Sequence, residues 1–371
     1  MKSQVMESKK PYLAVILIQA IYAGMFLLSK AAFNGGMNNF IFVFYRQAVA
    51  TLFLAPLSLA FEWKTAPPLS FVTFCKIFFL SLIGITFSLD LYGVALIYTS
   101  ATLAAATTNC LPVITFFFAV LLRTEVLRLK TTAGVAKLVG IIICLAGAVT
   151  LAFYNGPQLR LLCHHQIFGH HSSNGIQAHV SSGKTWIKGC FIMLSSNTFW
   201  GLWLVLQALV LKDYPSKLLF TTLQCFLSSI QSFAIAIAVE RDPHEWMLGW
   251  NVRLLAVAYC GIMVTGVTFY LQAWVIEKKG PVFLAMSTPL NLIFTMITSV
   301  ILLCEILTLG RILGAVLLIG GLYSVLWGKN REQKMMDIEK SCLPTTQVDQ
   351  RICSQVKVAV TTKSPSSTLC A

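Results

Sequence analysis

Long apolar segments alternate with short polar ones along most of the chain. A helix of about 20 apolar residues crosses the hydrocarbon core of a bilayer, and segments of about that length recur ten times. Only the stretch 153–186 and the tail 329–371 are long and polar, and we expect both to be poorly ordered. The pattern predicts an all-α membrane protein with ten transmembrane helices. Their predicted ranges are 12–33, 40–61, 73–94, 101–122, 132–152, 187–208, 219–239, 253–274, 281–303 and 307–327.

The chain contains an internal repeat. When the sequence is shifted by 180 residues, residues 105–140 fall on 285–320, and 11 of the 36 pairs are identical, including Glu125 with Glu305 and two pairs of glycines. Convergence on one helix–turn–helix pattern is the alternative to duplication. Five spans per half is an odd number, so the second half must enter the membrane in the opposite orientation. Inverted repeats around a central site are typical of secondary transporters, which work by alternating access.

The composition excludes a soluble enzyme or binding module. Hydrophobic residues make up 57% of the chain and charged residues only 11%, whereas soluble domains carry about 25% charged residues. The formal net charge of +14 would suggest nucleic acid in a soluble protein. Here ten spans place both termini on one side, and that side carries 18 of the Lys and Arg residues against 6 on the opposite side. The positive-inside rule therefore predicts cytoplasmic termini, and we expect no nucleic-acid partner.

Seven stretches cover nearly the whole membrane portion and match a known pattern. They are KKPYLAVILIQAIYAGMFLLSKAAFNGGMN (9–38), FVFYRQAVATLFLAPL (42–57), YTSATLAAATTNCLPVITFFFAVLLRTE (98–125), SSNTFWGLWLVLQ (195–207), YPSKL (214–218), WVIEKKGPVF (274–283) and GLYSVLWGK (321–329). On these stretches the chain resembles the plant EamA-type transporters of the drug/metabolite transporter superfamily, and within them the nodulin-like UMAMIT or Walls-Are-Thin-related group.

The resemblance implies a domain organisation and an activity. It implies two inverted EamA repeats of five helices each, at 1–152 and 187–328. A polar non-cytoplasmic loop at 153–186 would separate them, and a disordered cytoplasmic tail would follow at 329–371. It also implies export or bidirectional transport of amino acids, although some relatives handle auxin or other metabolites.

Polar side chains inside the spans are candidates for a substrate site, because such residues are costly in a bilayer. A zwitterionic amino acid needs acceptors for its ammonium group and donors for its carboxylate. The first span carries an amide and a tyrosine within one helical turn, and the sixth carries amides and tryptophans at helical spacing. Packing between helices is the alternative role. The residues predicted to bind substrate in these two spans are Gln19, Tyr22, Asn197, Trp200, Trp203 and Gln207.

Two prolines inside spans mark a second group of candidates. Pro112 and Pro289 each remove an intrahelical hydrogen bond. A bent helix with freed carbonyls is one way in which transporters form a site at the bilayer midplane. A tolerated kink, with threonine bonded to its own helix, is the alternative. The residues near the prolines that we predict to bind substrate are Thr108, Asn109, Thr288 and Asn291.

Arg46 and Asp90 are the charged residues well inside the predicted spans. Both are predicted to lie toward the non-cytoplasmic side, so the first hypothesis is a structural ion pair. Alternatively, Asp90 takes a proton or the ammonium group of the substrate, and Arg46 binds a carboxylate or snorkels to the interface. Glu125 and Glu305 follow turns at helix starts, where negative charge is favourable, and we interpret both as structural.

Other motifs carry no predicted chemistry. The stretch SSGKT at 181–185 resembles the end of a phosphate-binding loop, but Ala178 replaces the first glycine and no strand precedes it. The five histidines within 164–179 are irregularly spaced in a Gly/Ser-rich loop. We therefore expect no cofactor, no metal and no enzymatic activity.

The sequence predicts a secondary transporter whose partners are a small-molecule substrate, an amino acid or a similar compound, and the lipid bilayer. Transport is passive or coupled to protons. The second hypothesis is a transporter of auxin or another small organic metabolite. The third is a membrane receptor or scaffold without transport, although a scaffold needs neither the repeat nor the intramembrane amides. No retention signal is evident, so the plasma membrane is favoured over the vacuolar membrane.

Overall fold

The computed structural model describes residues 2–64, 66–98, 108–125, 131–154, 157–159, 183–303 and 307–341, and nearly all of them are helical. The first half contains α1 (Lys2–Asn34), α2 (Asn39–Phe61), α3 (Phe71–Ser81), α4 (Ser88–Tyr98), α5 (Leu111–Leu121) and α6 (Thr132–Phe153), and a π-helical segment, π1 (Leu82–Phe87), joins α3 to α4.

The second half has the same plan. It contains α7 (Gly183–Asp213), α8 (Lys217–Val239), α9 (Val252–Tyr259), α10 (Phe269–Lys279), α11 (Pro281–Ala285), α12 (Thr288–Leu303) and α13 (Leu309–Ser341). A second π-helical segment, π2 (Cys260–Thr268), joins α9 to α10, and a short 3₁₀ helix (Pro243–Trp246) precedes α9. Two strands of two residues each, β1 (Gln158–Leu159) and β2 (Leu307–Thr308), pair antiparallel.

Within the described ranges, nine helices are long and apolar enough to cross a membrane. Each is continuous with its π segment where it has one, and α11 with α12 forms one crossing. The remaining predicted span is represented by α5, a shorter apolar helix, and residues 99–107 before it lie outside the described residues. The prediction of an all-α membrane protein is confirmed.

One end of the helical bundle, which we call the terminal face, carries the start of α1 and the end of the last span. There the backbone N–H of Leu218 donates to Oε2 of Glu62 at 3.0 Å, joining the α7–α8 connection to the end of α2. Nζ of Lys279, at the end of α10, lies 5.9 Å from the ring centre of Tyr12 in α1. The connections that follow α2, α7 and α10, which are the second, sixth and eighth predicted spans, therefore meet at this face.

The opposite face carries the other connections. Nδ2 of Asn38, before α2, donates to Oε2 of Glu240, after α8, at 2.9 Å. The β1–β2 pair joins the connections that follow α6 and α12. Thus α1 runs away from the terminal face, whereas α7, the first helix of the second half, runs toward it. The two halves are inverted relative to each other, as the odd number of spans predicts.

The last helices of the two halves, α6 and α13, pack antiparallel through glycines. A Cβ added at Gly140 would lie 2.7 Å from the carbonyl oxygen of Gly321, and one added at Gly147 would lie 3.0 Å from that of Gly314. Gly328 continues the series against the first turn of α6. Because these positions are seven residues apart on each helix, the backbones approach along a continuous seam, as small residues allow in membrane helices.

Each half carries a π-helical segment at the same place. Shifted by 180 residues, π1 falls on 262–267, inside π2. Gly84 of π1 packs so closely on α7 that an added Cβ would lie 2.1 Å from Cδ1 of Trp203, and one at Gly261 of π2 would lie 2.6 Å from Cγ1 of Val49 in α2. Each π segment therefore contacts a helix of the other half. Such segments often mark functional sites in helices.

The last helix continues beyond the predicted end of its span. α13 ends at Ser341, so the prediction of a disordered tail from 329 is wrong for 329–341. These residues are mostly Lys, Glu, Gln, Met and other helix formers, and the first proline after them is Pro344. Residues 342–371, and the part of the predicted loop at 160–182, lie outside the described residues.

Candidate functional site

A cavity lies between the two halves of the bundle, and residues of both halves line it. Its walls come from α1, α2, α4 and α5 of the first half and from α7, α10, α11 and α12 of the second. The lining residues are Gln19, Tyr22, Met25, Phe26, Arg46, Ser88, Leu89, Tyr92, Thr108, Leu111, Ser196, Asn197, Trp200, Leu204, Gln272, Leu284, Ala285, Thr288 and Asn291.

Arg46 is the charged residue of this lining. It lies two turns into α2, its side chain is 4% exposed, and its Nε donates to Oγ1 of Thr265 in π2 at 2.6 Å. Within the described part of the chain, Arg46 forms no ion pair. Its remaining guanidinium N–H groups can therefore bind an anion in the cavity, and a carboxylate suits the planar geometry of arginine.

Amide side chains supply the other polar groups. Nε2 of Gln19 donates to Oγ of Ser287 at 2.7 Å, and Nε2 of Gln272 donates to the hydroxyl of Tyr22 at 2.6 Å. Oε1 of Gln272 and Nδ2 of Asn197 are buried and have no hydrogen-bond partner. Because buried polar groups are normally paired, these two atoms make Gln272 and Asn197 candidates for ligand binding.

Aromatic rings form much of the remaining wall. Tyr22, Tyr92 and Trp200 all line the cavity. The ring of Trp200 lies 4.8 Å from that of Trp203, which is fully buried behind it and is in turn 5.3 Å from Phe269. The cavity thus combines an apolar, aromatic wall with one cation and a few amides, the usual composition of a small-molecule site.

The two prolines that the sequence places inside predicted spans each lie in the first turn of a helix. Pro112 is the second residue of α5, and Pro289 is the second residue of α12, which follows a break at Met286 and Ser287. Carbonyls near this second break are not free for substrate, because the hydroxyls of Ser287 and Thr288 donate to the oxygens of Leu284 and Ala285 at 2.6 and 2.7 Å. The span formed by α11 and α12 is therefore interrupted rather than bent, and its own hydroxyl groups satisfy the carbonyls at the break.

The structure brings seven of the ten predicted substrate-binding residues to the cavity and leaves three outside its lining. Those that line the cavity are Gln19, Tyr22, Thr108, Asn197, Trp200, Thr288 and Asn291. Asn109, Trp203 and Gln207 are buried elsewhere. Trp203 packs into the space left by the absent side chain of Gly84, so this tryptophan of α7 contacts the first half of the molecule instead of the cavity.

Sequence reasoning missed Gln272, which lines the cavity and has a buried side-chain oxygen without a hydrogen-bond partner. The signal was available: Gln272 is an intramembrane amide in an otherwise aromatic and aliphatic stretch, FYLQAWV at 269–275. Ser88 and Ser196 were also missed. They join α4 to α7 by reciprocal hydrogen bonds between each hydroxyl and the other carbonyl, at 3.0 and 2.7 Å.

The predicted ion pair between Arg46 and Asp90 is not formed. Arg46 bonds to Thr265, and neither carboxylate oxygen of Asp90 has a hydrogen-bond partner. Ser88 and Tyr92 of α4 line the cavity, but Asp90, two residues from each, does not. Each helical residue is rotated by about 100° from the last, so Asp90 lies on another side of α4. Depth in the membrane can be predicted from the sequence, but this rotation cannot.

A largely buried charged cluster, which we call the terminal network, lies at the terminal face. Glu125, in the turn after α5, contacts Lys329 of α13, and its Oε2 lies 3.3 Å from Nζ of Lys137 in α6, which also contacts Glu332. Burial alone would raise the pKa of Glu125, but the ammonium groups of Lys329 and Lys137 lower it below its ordinary value. Glu125 thus joins the two halves, while its repeat partner Glu305 lies outside the described residues.

Comparisons with known proteins agree on one family. A model of the EamA-like transporter family matches residues 9–153 and 187–327. The WAT1-related protein At5g64700 of Arabidopsis thaliana is 62% identical over 358 residues, which cover 96% of this chain and 99% of that protein. Protein WALLS ARE THIN 1 of the same plant is 36% identical over 344 residues, covering 92% and 88%. A solved crystal structure with 16% identity superposes with a TM-score of 0.63, covers 87% of this chain and 98% of its own, and shares the fold.

Proposed function

The chain belongs to the EamA-like transporter family, and on this premise we propose that it is a secondary transporter that moves amino acids through the central cavity by alternating access. Members of this family are membrane transporters of small metabolites and not enzymes. The two inverted halves meet at the cavity, which is the arrangement that lets one half rock against the other around a fixed site.

One observation carries the choice of amino acids: the residues that line the cavity carry unpaired groups of both kinds. The guanidinium of Arg46 and Nδ2 of Asn197 can donate to a carboxylate, and Oε1 of Gln272 can accept from an ammonium group. The ring of Trp200 adds a face for a cation. A zwitterion satisfies all three groups at once, whereas an uncharged metabolite leaves the guanidinium unneutralised.

The test is flux through proteoliposomes that contain the purified full-length protein. Proteoliposomes preloaded with radiolabelled amino acids should lose label faster than equally loaded liposomes without the protein, and unlabelled substrate should compete. Gln272→Leu removes the acceptor and should lower amino-acid flux by about tenfold, since a hydrogen bond to a charged group is worth roughly 1.5–3 kcal/mol. The matched control is Gln224→Leu, because Gln224 is a buried and unpaired amide outside the cavity lining. Absence of amino-acid flux in either direction would show that the proposed substrate is wrong.

A second substrate class is favoured by a different observation. The described lining contains a cation but no carboxylate, a balance that also suits a small organic acid such as auxin. The same liposomes should therefore be tested with an aromatic carboxylate that lacks an amino group. If only this compound is transported, and Gln272→Leu does not change its flux, the substrates are organic acids and not amino acids. Flux of neither class would favour the receptor or scaffold hypothesis.

We also propose that the terminal face is cytoplasmic and that the protein resides in the plasma membrane. Support comes from the excess of Lys and Arg in the connections that meet at this face. A tag after Ala371 should then be reached by antibody only in permeabilised cells, and it should co-localise with a plasma-membrane marker. Labelling of intact cells would reverse the orientation, and a vacuolar pattern would change the membrane.

A further inference from the structure

Asp90 is a buried carboxyl group that the substrate cavity does not use. It lies in the first turn of α4, directly after π1, and is 6% exposed. Both of its carboxylate oxygens are buried and lack a hydrogen-bond partner. In contrast, the largely buried carboxylate of Glu125 is paired with two lysines. The state of Asp90 therefore needs a physical explanation.

The contacts of its neighbours locate Asp90 on the helix. Four residues before it, Oγ1 of Thr86 lies 2.9 Å from Oγ of Ser228 and 3.0 Å from Oε1 of Gln231, both in α8. Three residues after it, Gly93 packs on Asn39 so closely that an added Cβ would lie 1.9 Å from Nδ2. Residues at these spacings share one side of a helix. Asp90 therefore lies on the side of α4 that is directed at α2 and that continues the α8-facing side of π1, behind the wall of the cavity.

No charged group compensates Asp90 from the elements around it. In α2, the hydroxyl of Tyr45 donates to the carbonyl of Trp246, and Arg46 donates to Thr265. None of the following described groups contacts a carboxylate oxygen of Asp90: Tyr45, Arg46, Lys76, Tyr92, Lys188, Cys190, Lys212, Asp213, Lys217 and Cys225.

An ionised carboxylate in such a place is strongly disfavoured. Removing a charge from water without a partner costs far more than removing a neutral polar group, and the group becomes neutral instead. A carboxyl group becomes neutral by binding a proton. Nδ2 of Asn39 in α2, which packs on Gly93 one turn along α4 from Asp90, is also unpaired, so α2 carries a donor that can serve the carboxyl group if it becomes ionised in another arrangement of the helices.

We propose that Asp90 is a proton-binding site, separate from the substrate cavity, and that its loading and unloading couples transport to a proton gradient. The proposal rests on the proposed transport function. Ser88 and Tyr92 line the cavity from one side of α4, while Asp90 holds the proton on another side of the same helix. A movement of α4 that exposes Asp90 to water must therefore also move the cavity wall. The adjoining π1 segment is a natural place for this movement, because π-helical segments often kink helices.

The experiment compares the full-length wild-type protein with Asp90→Asn in proteoliposomes, using a radiolabelled substrate that wild type transports. Each protein is assayed in counterflow at equal pH on both sides and then with a pH gradient of either polarity. For one proton per substrate, a gradient of one pH unit supports about a tenfold accumulation by wild type. Asp90→Asn, which mimics the neutral carboxyl group, should keep counterflow within about twofold and lose the response to the gradient. Asp213→Asn, at an exposed ion pair of the terminal face, is the matched control and should respond as wild type does.

The outcomes separate this proposal from the proposed function. Absence of flux by wild type contradicts the proposed function itself. Flux by wild type that ignores a pH gradient, or follows a sodium gradient instead, overturns the proton site and leaves the transporter intact. A gradient response that persists in Asp90→Asn also overturns it.

A spectroscopic measurement decides the matter if Asp90→Asn fails in counterflow. At neutral pH the wild-type protein should show the infrared carbonyl band of a protonated carboxylic acid, and Asp90→Glu should retain such a band at a shifted frequency. Asp90→Asn should lack it. Absence of this band from folded wild type would show that Asp90 is ionised and would overturn the proposal.

Discussion

Arg46 places a positive charge in a cavity whose other described lining residues are neutral. Replacing it with glutamine keeps a polar side chain but removes the charge and the planar fork that suits a carboxylate. We expect Arg46→Gln to raise KM by about 10- to 100-fold, since a charge-assisted hydrogen bond contributes roughly 1.5–3 kcal/mol. Substrate titration of the initial flux in proteoliposomes measures the change.

The matched control for this substitution is Arg253→Gln. Arg253 donates to the carbonyl of Gly35 at the opposite face, away from the cavity, so its loss should leave KM near the wild-type value. Equal effects of the two substitutions would mean that Arg46 acts through the fold and not through the substrate. Arg46→Lys keeps the charge without the fork and should fall between wild type and Arg46→Gln.

At the level of single residues, the sequence predicts which side chains are polar within the membrane but not which neighbour they face. The 3.6-residue period correctly groups Asn197 with Trp200, and both line the cavity. The same period includes Trp203, which instead fills the space beside Gly84 in another helix. Likewise, Arg46 and Asp90 are at similar predicted depths, yet rotation of α2 and α4 directs them to different neighbours.

The α6–α13 seam offers a test of helix packing by a pair of repeat-related glycines. Gly140 lies against the backbone of α13, whereas nothing lies within 4 Å of a Cβ added at its repeat partner Gly320. Gly140→Leu should therefore destabilise the protein by about 1–3 kcal/mol, the usual cost of overpacking, while Gly320→Leu should have little effect. Thermal unfolding in detergent measures both. A similar loss at Gly320 would contradict the seam, because the two substitutions add the same side chain to equivalent spans.

Whole helices were predicted well, and their interruptions were not. Hydropathy identifies membrane spans because every crossing needs a long apolar segment. The break at Met286 and Ser287 is not visible in hydropathy, since both flanking segments are apolar, and Pro289 marks only its neighbourhood. The extension of α13 to Ser341 was missed for the opposite reason: its residues are polar, and helix propensity and the contacts of Lys329 and Glu332 maintain the helix beyond the span.

At the scale of the whole molecule, the terminal network joins the two halves at one end of the bundle. Glu125 and Lys137 belong to the first half, and Lys329 and Glu332 belong to the second. The cavity lies between the same halves, so a movement that opens it toward the terminal face must separate these charges or carry them together. The glycine seam fixes how closely α6 and α13 approach. It therefore also sets the distance between the charged residues that these two helices contribute to the network.

The network gives the stability of the protein a defined dependence on pH. Its lysine neighbours keep the pKa of Glu125 below its ordinary value of 4.5 in the folded protein. The pairing therefore contributes its full stability above the pKa of the unfolded chain, and this contribution is lost as the pH falls through the lower, folded-state value. Glu125→Gln should cost about 1.5–3 kcal/mol at neutral pH, because it removes the carboxylate that pairs with Lys329, while Lys137 keeps Glu332, and the gap from wild type should close in acid.

Thermal unfolding from neutral to acidic pH measures this gap, and Asp213→Asn supplies its control. Asp213 pairs with Lys76 at the same face, but both side chains are 47% exposed, and exposed pairs contribute only about 0–1 kcal/mol. Asp213→Asn should therefore follow wild type at every pH. A gap for Glu125→Gln that stays constant into acid would show that the glutamate acts through packing, since only the ionised carboxylate loses its role on protonation. Burial, and not the number of charges at the terminal face, then determines which ion pair holds the two halves together.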